Sequence, residues 1–181
     1  MKSKCALLIL DMLNTFDFPE GAALAKRSFV VAKNILRLKK RCLSAKVPVI
    51  YVNDNFKEWH SDWKQIYALC AKEKMHGQKI AELLKPSDDD LFVLKPKHSG
   101  FYSTNLEPLL QDLKVKKLIL TGVAGNICVL FTAHDAHMRE YDLIVPEDCV
   151  ASNTNKDDRF LLHQLKNTLK FPTTKSTNIR L

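Results

Sequence analysis

The stretch LTGVAGNICVLFTAHDA, residues 120–136, joins the end of an apolar run to a helical pattern through a turn that contains two glycines. Glycine lets the backbone turn sharply without steric strain, so the chain can pass directly from a buried strand into a helix. A strand followed at once by a helix is the repeating unit of parallel α/β domains. Two questions follow: whether the rest of the chain repeats this unit, and what Cys128 does in the first turn of the helix.

The rest of the chain repeats the alternation of strand and helix. Apolar runs without polar alternation are typical of strands buried on both faces of a parallel sheet. Five such runs occur, at 5–10 (CALLIL), 47–52 (VPVIYV), 91–94 (LFVL), 117–123 (KLILTGV) and 142–146 (DLIVP). Helical patterns lie at about 22–45, 105–113, 126–140 and 157–169, the region 53–86 is richer in loops, and the tail FPTTKSTNIRL is compatible with one last strand. The sequence predicts a single α/β domain over residues 1–181, with a mostly parallel, doubly wound, Rossmann-like sheet.

The composition is that of a globular domain, with 46% apolar and 27% charged residues. The net charge is +8, but the 28 lysines and arginines are spread over candidate helix surfaces without long basic blocks or interleaved aromatics, which argues against nucleic acid as the partner. No apolar segment approaches the roughly 20 residues of a membrane span, so no membrane partner is expected. The five cysteines are odd in number and form no CxxC pair, which favours a reducing, cytoplasmic location.

Ligands of doubly wound sheets bind at the carboxyl ends of the strands, and four of the predicted ends present polar groups, at Asp11, Asn53–Asp54, Lys95 and the loop 122–128. Asp11 directly follows LLIL, where an apolar surround would make its carboxylate a candidate general base. The alternative is a capping or turn residue. Lys95 directly follows LFVL, where its ammonium could lower a thiol pKa or stabilise developing negative charge. The alternatives are that Lys95 is a solvated lysine or that the nearby Lys97 takes this role.

Cys128 lies at the predicted start of a helix, after the fourth run. The unpaired N–H groups and positive partial charge of a helix N-terminus favour a thiolate and can bind an oxyanion. A buried, inert cysteine fits the same position, and the residue alone does not decide between the two. The other four cysteines (5, 42, 70 and 149) lack this setting and are predicted to be structural. Together, Asp11, Lys95 and Cys128 at three strand ends would form an activated nucleophile.

This constellation resembles the isochorismatase-like cysteine hydrolase family, which includes nicotinamidases and N-carbamoyl-amide hydrolases. Four segments carry the resemblance in the family's order and spacing: 6–16 (ALLILDMLNTF), 49–56 (VIYVNDNF), 93–110 (VLKPKHSGFYSTNLEPLL) and 118–152 (LILTGVAGNICVLFTAHDAHMREYDLIVPEDCVAS). They span most of the chain. The resemblance implies a three-layer α/β/α sandwich and a homo-oligomer.

The resemblance also implies roles for individual residues. The catalytic Asp, Lys and Cys of the family fall on Asp11, Lys95 and Cys128. A cis peptide bond between Val123 and Ala124 would aim the N–H groups of Ala124 and Cys128 at a substrate oxyanion. A cis bond of this kind is not predictable from sequence because it is rare outside proline.

Differences within the family narrow the expected chemistry. True isochorismatases, which hydrolyse a vinyl ether, lack the nucleophilic cysteine, so Cys128 favours attack on a C–N carbonyl. Metal-binding nicotinamidases carry a D-x-H motif where this chain has Asp54, Asn55 and Phe56, with His60 the only histidine close by. A metal site is therefore not expected. The histidines at 134 and 137 have a chelating spacing but no evident third ligand, and no cofactor is implied.

The predicted function is cysteine-dependent hydrolysis of an amide, carbamoyl or ureido bond in a small molecule, through an acyl thioester. The alternatives are vinyl ether hydrolysis without the thiol, or a family member that only binds a small molecule. Aromatic residues in or beside the matched segments are expected to line an apolar cleft. The predicted pocket residues are Phe16, Trp59, Phe101, Asn126 and Phe131, with Phe56 and Trp63 as further aromatic candidates.

Overall fold

The computed structural model describes residues 4–181, and these contain one parallel sheet. Its strands are β1 (Cys5–Leu10), β2 (Val49–Asp54), β3 (Leu91–Lys95), β4 (Lys117–Gly122) and β5 (Asp142–Ile144). The spatial order is β3-β2-β1-β4-β5, and every neighbouring pair is parallel. The chain thus builds outward from β1 in one direction and then in the other. This confirms the predicted doubly wound sheet.

The α-helices are α1 (Gly21–Ser44), α2 (Trp63–Cys70), α3 (Gln78–Leu83), α4 (Leu106–Asp112), α5 (Leu130–Met138) and α6 (Asn155–His163). α2 and α3 lie in the region that was predicted to be rich in loops. α2 begins with a capping box that Asp62 and Gln65 form, a signal that the sequence contains. Within residues 4–181, none of the helices combines the length and apolarity that a membrane crossing requires.

Two hydrophobic cores cover the two faces of the sheet. Along β1, Leu8 and Leu10 face one core, whereas Leu7 and Ile9 face the other, because successive side chains of a strand point to opposite faces. The first core includes residues of α4, α5 and α6, and the second includes residues of α1 and α3. The sheet is therefore the middle of three layers, as the family resemblance implies.

Two predicted elements differ from the structure at their ends. The predicted helix over 126–140 begins as a π-helical turn, Gly125–Val129, before α5, and the predicted helix over 157–169 ends as another, Gln164–Thr168. The tail forms no strand among the described residues; it contains a single 3₁₀ turn at Ser176–Asn178. Arg41 of α1 holds this tail by donating hydrogen bonds to the carbonyls of Ser176 and Ile179, at 2.7 and 2.6 Å.

The register of the strands determines which residues meet at the carboxyl edge. β2 begins after Pro48 and extends to Asp54, two residues later than predicted. In this register Asp54 lies opposite Lys95, and Leu10 lies between Val52 and Gly122. The residues that follow β1, β3 and β4 consequently converge above the middle of the sheet.

Candidate active site

Asp11 is placed by the end of β1. Its backbone has a φ of 49°, in the left-handed region that non-glycine residues seldom adopt, and its N–H donates to the Val52 carbonyl at 3.1 Å. The side chain is buried, and its Oδ1 accepts the Asp54 N–H at 2.7 Å. A buried carboxylate with a fixed backbone donor has a defined orientation, and unusual backbone conformations of this kind cluster at functional sites.

Lys95, the last residue of β3, is fully buried. Its Nζ lies 2.8 Å from Asp11 Oδ2, 3.6 Å from Cys128 Sγ and 3.1 Å from the Lys97 carbonyl. Lys97 itself has an exposed side chain. The structure therefore brings Lys95, rather than Lys97, together with Asp11 and Cys128.

Cys128 lies inside the π-helical turn that precedes α5. The turn is anchored by the Gly125 N–H, which donates to the Ala151 carbonyl at 2.8 Å, and it leaves Cys128 half-buried. The thiol also hydrogen-bonds to the Asp11 carboxylate. Three side chains that are 84 and 33 residues apart in sequence thus form one contact cluster.

The chain reaches this turn through a tight passage beside β1. Gly122 has a φ of 111°, and a Cβ at this position would lie 2.0 Å from the Leu10 carbonyl oxygen. Glycine is therefore required here for both the conformation and the close approach. The peptide bond between Val123 and Ala124, which follows closely, is cis, as the family resemblance implies.

The electrostatics of the cluster differ from the prediction in one respect. Burial raises the pKa of the Cys128 thiol, and the charge of Asp11 raises it further. Lys95 lowers this pKa, but by less than the other two effects raise it. Lys95 thus acts on this pKa in the expected direction, but the net change is upward because burial outweighs it. The resting thiol keeps its proton because the loss of hydration destabilises a thiolate here by more than the ammonium of Lys95 stabilises it.

The two charged members of the cluster respond to burial in opposite ways. Burial raises the pKa of Asp11, an effect that Lys95 and the hydrogen bonds from Cys128 and Asp54 only partly offset. Burial is the largest single effect on the pKa of Lys95 and lowers it, but the charges of Asp11, Cys128 and Asp54 and the hydrogen bond to Asp11 together outweigh burial and leave the pKa raised. The result is a carboxylate more basic than usual beside a thiol that donates to it, with a fixed cation next to both.

A cavity of about 460 Å³ opens above the cluster. Asp11, Ala124, Ile127 and Cys128 are among the residues that line it. Its volume suits a small-molecule ligand. The acid and the thiol can therefore meet a reactant without any rearrangement of the sheet.

The predicted pocket residues Phe16 and Phe101 lie elsewhere. Phe16 is fully buried in the core beneath α1, and Phe101 is buried in the opposite core, where its ring centroid lies 6.0 Å from that of Tyr141. Both rings pack inside the hydrophobic cores, and neither lines the cavity. An aromatic residue inside a motif is thus no guide to which side of the backbone its ring occupies.

The remaining three predicted pocket residues also lie outside the cavity lining. Trp59 is 75% exposed, and Phe131 is 53% exposed, with its ring 5.5 Å from that of His98. Asn126 precedes the lining residues Ile127 and Cys128 in the π turn, but its N–H donates to Ser152 Oγ at 3.1 Å and the residue itself is not part of the lining. Of the further aromatic candidates, Phe56 does line the cavity.

The prediction missed the segment that directly follows Asp11. Asn14, Asp17 and Glu20 line the cavity, as do His98 after β3 and Asn153 after the fifth strand region. The signal was available, because all of these follow the carboxyl ends of strands. The expectation of an apolar cleft lined by aromatic side chains obscured it, since half of the lining residues are polar or charged and Phe18 and Phe56 are its two phenylalanines.

The histidines considered as metal ligands are dispersed. His60 is exposed, and His137 packs edge-on against Phe171 with ring centroids 5.4 Å apart. Within residues 4–181, no three His, Cys, Asp or Glu side chains are grouped as a metal ion would require. Asp54 instead lines the cavity, 3.9 Å from Lys95 Nζ.

Fold and site together define a class: a small parallel α/β domain with an aspartate, a lysine and a cysteine in contact at the carboxyl edge of its sheet. The family model described as the isochorismatase domain matches residues 5–177. The chain therefore belongs to the isochorismatase family, as the sequence motifs predicted.

Relatives extend over most of the chain. The uncharacterized isochorismatase family protein YaaI of Bacillus subtilis is 46% identical over 168 residues, which cover 93% of this chain and 92% of that protein. The ureidoacrylate amidohydrolase RutB of Yersinia enterocolitica is 29% identical over 172 residues, which cover 81% and 74%. The structure of N-carbamoylsarcosine amidase from Thermoplasma acidophilum superposes with a TM-score of 0.74 at 25% identity and covers 99% of this chain and 100% of that one.

Proposed function

We propose that the chain is a cysteine-dependent hydrolase of an amide, carbamoyl or ureido C–N bond in a small molecule. One observation carries the proposal: Lys95 Nζ lies 2.8 Å from Asp11 Oδ2 and 3.6 Å from Cys128 Sγ at the base of a cavity. A nucleophile, a base and a positive charge in mutual contact are what nucleophilic acyl transfer requires.

In the acylation half-reaction, Asp11 accepts the Cys128 thiol proton as sulfur attacks the carbonyl carbon of the substrate. Because burial raises the pKa of this thiol, sulfur needs a base to take its proton, and Asp11 is the base in contact with it. The buried ammonium of Lys95 stabilises the negative charge as it forms on sulfur and oxygen. Asp11 then returns the proton to the departing nitrogen, the C–N bond breaks, and an acyl thioester remains on Cys128.

In the second half-reaction, Asp11 takes a proton from a water molecule that attacks the thioester. The carbon–sulfur bond breaks, the thiol regains its proton, and the carboxylic or carbamic acid leaves. The N–H groups of Ala124 and Cys128 are proposed to donate to the oxyanion in both halves. In support, the Ala124 N–H has no acceptor among residues 4–181.

The names of the relatives support an enzyme of this type. Ureidoacrylate amidohydrolases recur among the proteins similar in sequence, and N-carbamoylsarcosine amidase is similar in structure. Each name describes hydrolysis of a C–N bond other than a peptide bond. We assign the same reaction class to this chain.

A second candidate is hydrolysis of a vinyl ether without the thiol. It is favoured by one relative, the isochorismatase of Bacillus subtilis, which is 30% identical over 154 residues that cover 82% of this chain but 48% of that protein. This candidate leaves Cys128 without a role, although the thiol contacts both charged residues. Alkylation of Cys128 distinguishes the two: it should abolish C–N hydrolysis and leave vinyl ether hydrolysis intact.

The test of the proposal is a screen for ammonia release over primary amides, ureas and carbamoyl amino acids. A substrate found in this way is then mixed with the protein, quenched in acid during turnover and analysed by mass spectrometry. We expect an adduct with the mass of the acyl group on the peptide that contains Cys128. Release of ammonia at an unchanged rate from protein alkylated at Cys128 would contradict the proposal.

A further inference from the structure

The cavity above the cluster is acidic, although the chain as a whole is basic. The sequence has 28 lysines and arginines against 20 aspartates and glutamates, yet four carboxylates line the cavity: Asp11, Asp17, Glu20 and Asp54. Among the described lining residues there is no lysine or arginine, and His98 is the one residue there that can become cationic. The local charge is therefore opposite in sign to the net charge.

Lys95, directly below the cavity, has no hydrogen left to offer a ligand. A lysine ammonium has three N–H donors, and the three partners of Lys95 are the Asp11 carboxylate, the Lys97 carbonyl and Cys128 Sγ. Its side chain is 1% exposed. A substrate carboxylate would therefore meet acidic groups in this cavity and no available cation.

Asp54 is the acidic residue best placed to contact a ligand beside the catalytic cluster. Its side chain is 41% exposed, and its N–H donates to Asp11, which fixes its backbone next to the proposed base. Oδ1 accepts the Phe56 N–H at 2.6 Å, whereas Oδ2 lies 3.9 Å from Lys95 Nζ, too far for a hydrogen bond. Oδ2 thus retains the capacity to accept hydrogen bonds from a ligand in the cavity.

We propose that Asp54 is a specificity residue that selects substrates whose non-reacting end carries a protonated amine and discriminates against a carboxylate there. The inference rests on the proposed function, since it names the substrate class of the same site. Asp17 and Glu20, which are exposed at the rim, add a weaker attraction that salt screens. A charge-assisted hydrogen bond to Asp54 supplies the main preference.

The test uses three primary amides of equal chain length that differ in charge: 4-aminobutanamide, butanamide and succinamate. Each yields ammonia and a carboxylate on hydrolysis. We expect kcat/KM for the ammonium compound to exceed that of the neutral one by about tenfold, and the carboxylate compound to be the poorest. The preference should decrease as salt is raised from about 20 to 500 mM.

The Asp54→Asn variant keeps the backbone N–H that holds Asp11 but removes the negative charge. It should reduce the preference for the ammonium compound to about threefold or less, mainly through KM. The matched control is Asp88→Asn, which removes a charge from an exposed loop outside the cavity lining and should preserve the full preference. An unchanged preference in Asp54→Asn, or a wild-type enzyme that favours succinamate, would overturn the inference.

Binding of the same three compounds to the inactive Cys128→Ala variant separates this inference from the proposed function. Tighter binding of the ammonium compound, measured by calorimetry, supports the charge selection whether or not any compound is turned over. Hydrolysis of butanamide that depends on Cys128, without any charge preference in turnover or binding, would leave the proposed function standing and overturn only the selection by Asp54.

Discussion

The molecule contains two buried lysine–aspartate pairs, one in the candidate active site and one in a structural position. Lys95 Nζ lies 2.8 Å from Asp11 Oδ2, with side-chain exposures of 1% and 7%, and Lys39 Nζ lies 2.5 Å from Asp90 Oδ2, with exposures of 8% and 0%. By distance and burial the pairs are nearly interchangeable. Their surroundings are not, because only the first has a thiol, Cys128, as a further neighbour.

The pair of Lys39 and Asp90 is enclosed by structural hydrogen bonds. Lys39 also donates to the Tyr51 hydroxyl at 3.1 Å, and Tyr51 donates to the Leu84 carbonyl at 2.9 Å. Asp90 accepts from both the N–H and the hydroxyl of Ser87, at 2.7 and 2.9 Å. These contacts fasten the loop before β3 to α1, and neither charged residue lines the cavity above the sheet.

Burial of an ion pair is thus not by itself a sign of catalysis. A pair whose hydrogen bonds all end on structural partners fixes two elements relative to each other. A pair that shares its cation with a thiol, beneath a cavity, is arranged to move a proton. Substitutions in the two pairs should separate these two roles.

Replacement of the acid in each pair should give different kinds of loss. Asp11→Asn should reduce kcat/KM by about a thousandfold, because the proposed base is removed. Asp90→Asn should instead lower the free energy of unfolding by about 3 kcal/mol or more, since Lys39 is left buried without a counterion, while kcat per folded molecule stays near wild type. Chemical denaturation and steady-state kinetics of both variants provide the comparison. Equal losses of kcat in the two variants would refute the distinction.

The activity should also depend on pH in a way that only the first pair explains. Asp11 acts as a base only when ionised, and burial raises its pKa above the ordinary aspartate value. The kcat/KM should therefore fall on the acid side at a pH above the roughly 3.9 expected of a solvated aspartate. A profile that stays flat down to that value, measured on protein shown to remain folded, would exclude Asp11 as the titrating base.

The smallest expected effect concerns the hydroxyl that supports the structural pair. Tyr51→Phe removes the acceptor of Lys39 and the donor to Leu84, and should lower the free energy of unfolding by about 1–2 kcal/mol. Activity should be unaffected, because this hydroxyl lies beneath α1 rather than in the cavity. A tenfold loss of kcat in this variant would show that the two pairs are coupled.

Much of the fold was predictable because the strands are continuous apolar runs. Four of the five strands begin within a residue of their predicted starts, and β2 begins after Pro48, which has no N–H to donate to the strand ladder. The π-helical turns were not predictable, since a helical period of apolar residues does not distinguish a π turn from an α turn. α2 was missed although its capping box is written in the sequence at Asp62 and Gln65.

The site was predictable to the extent that it follows strand ends. Asp11 directly follows β1, Lys95 ends β3 and Cys128 lies in the turn after β4, and the parallel register brings them into contact. The cavity lining was not predictable from aromatic content, because Phe16 and Phe101 are taken up by the two cores. The direction of the Cys128 pKa also required coordinates, since it depends on how far burial outweighs Lys95.

The most direct test of the account is the kcat/KM of Cys128→Ala, measured beside Cys70→Ala. Cys70, the last residue of α2, is fully buried in a small cluster with Leu13, Ile66 and Ala81 and does not line the cavity, so its replacement controls for the loss of a thiol as such. We predict that Cys128→Ala loses at least about a thousandfold in C–N bond hydrolysis and still unfolds cooperatively, while Cys70→Ala retains wild-type turnover per folded molecule. Hydrolysis by Cys128→Ala within tenfold of wild type would contradict the account.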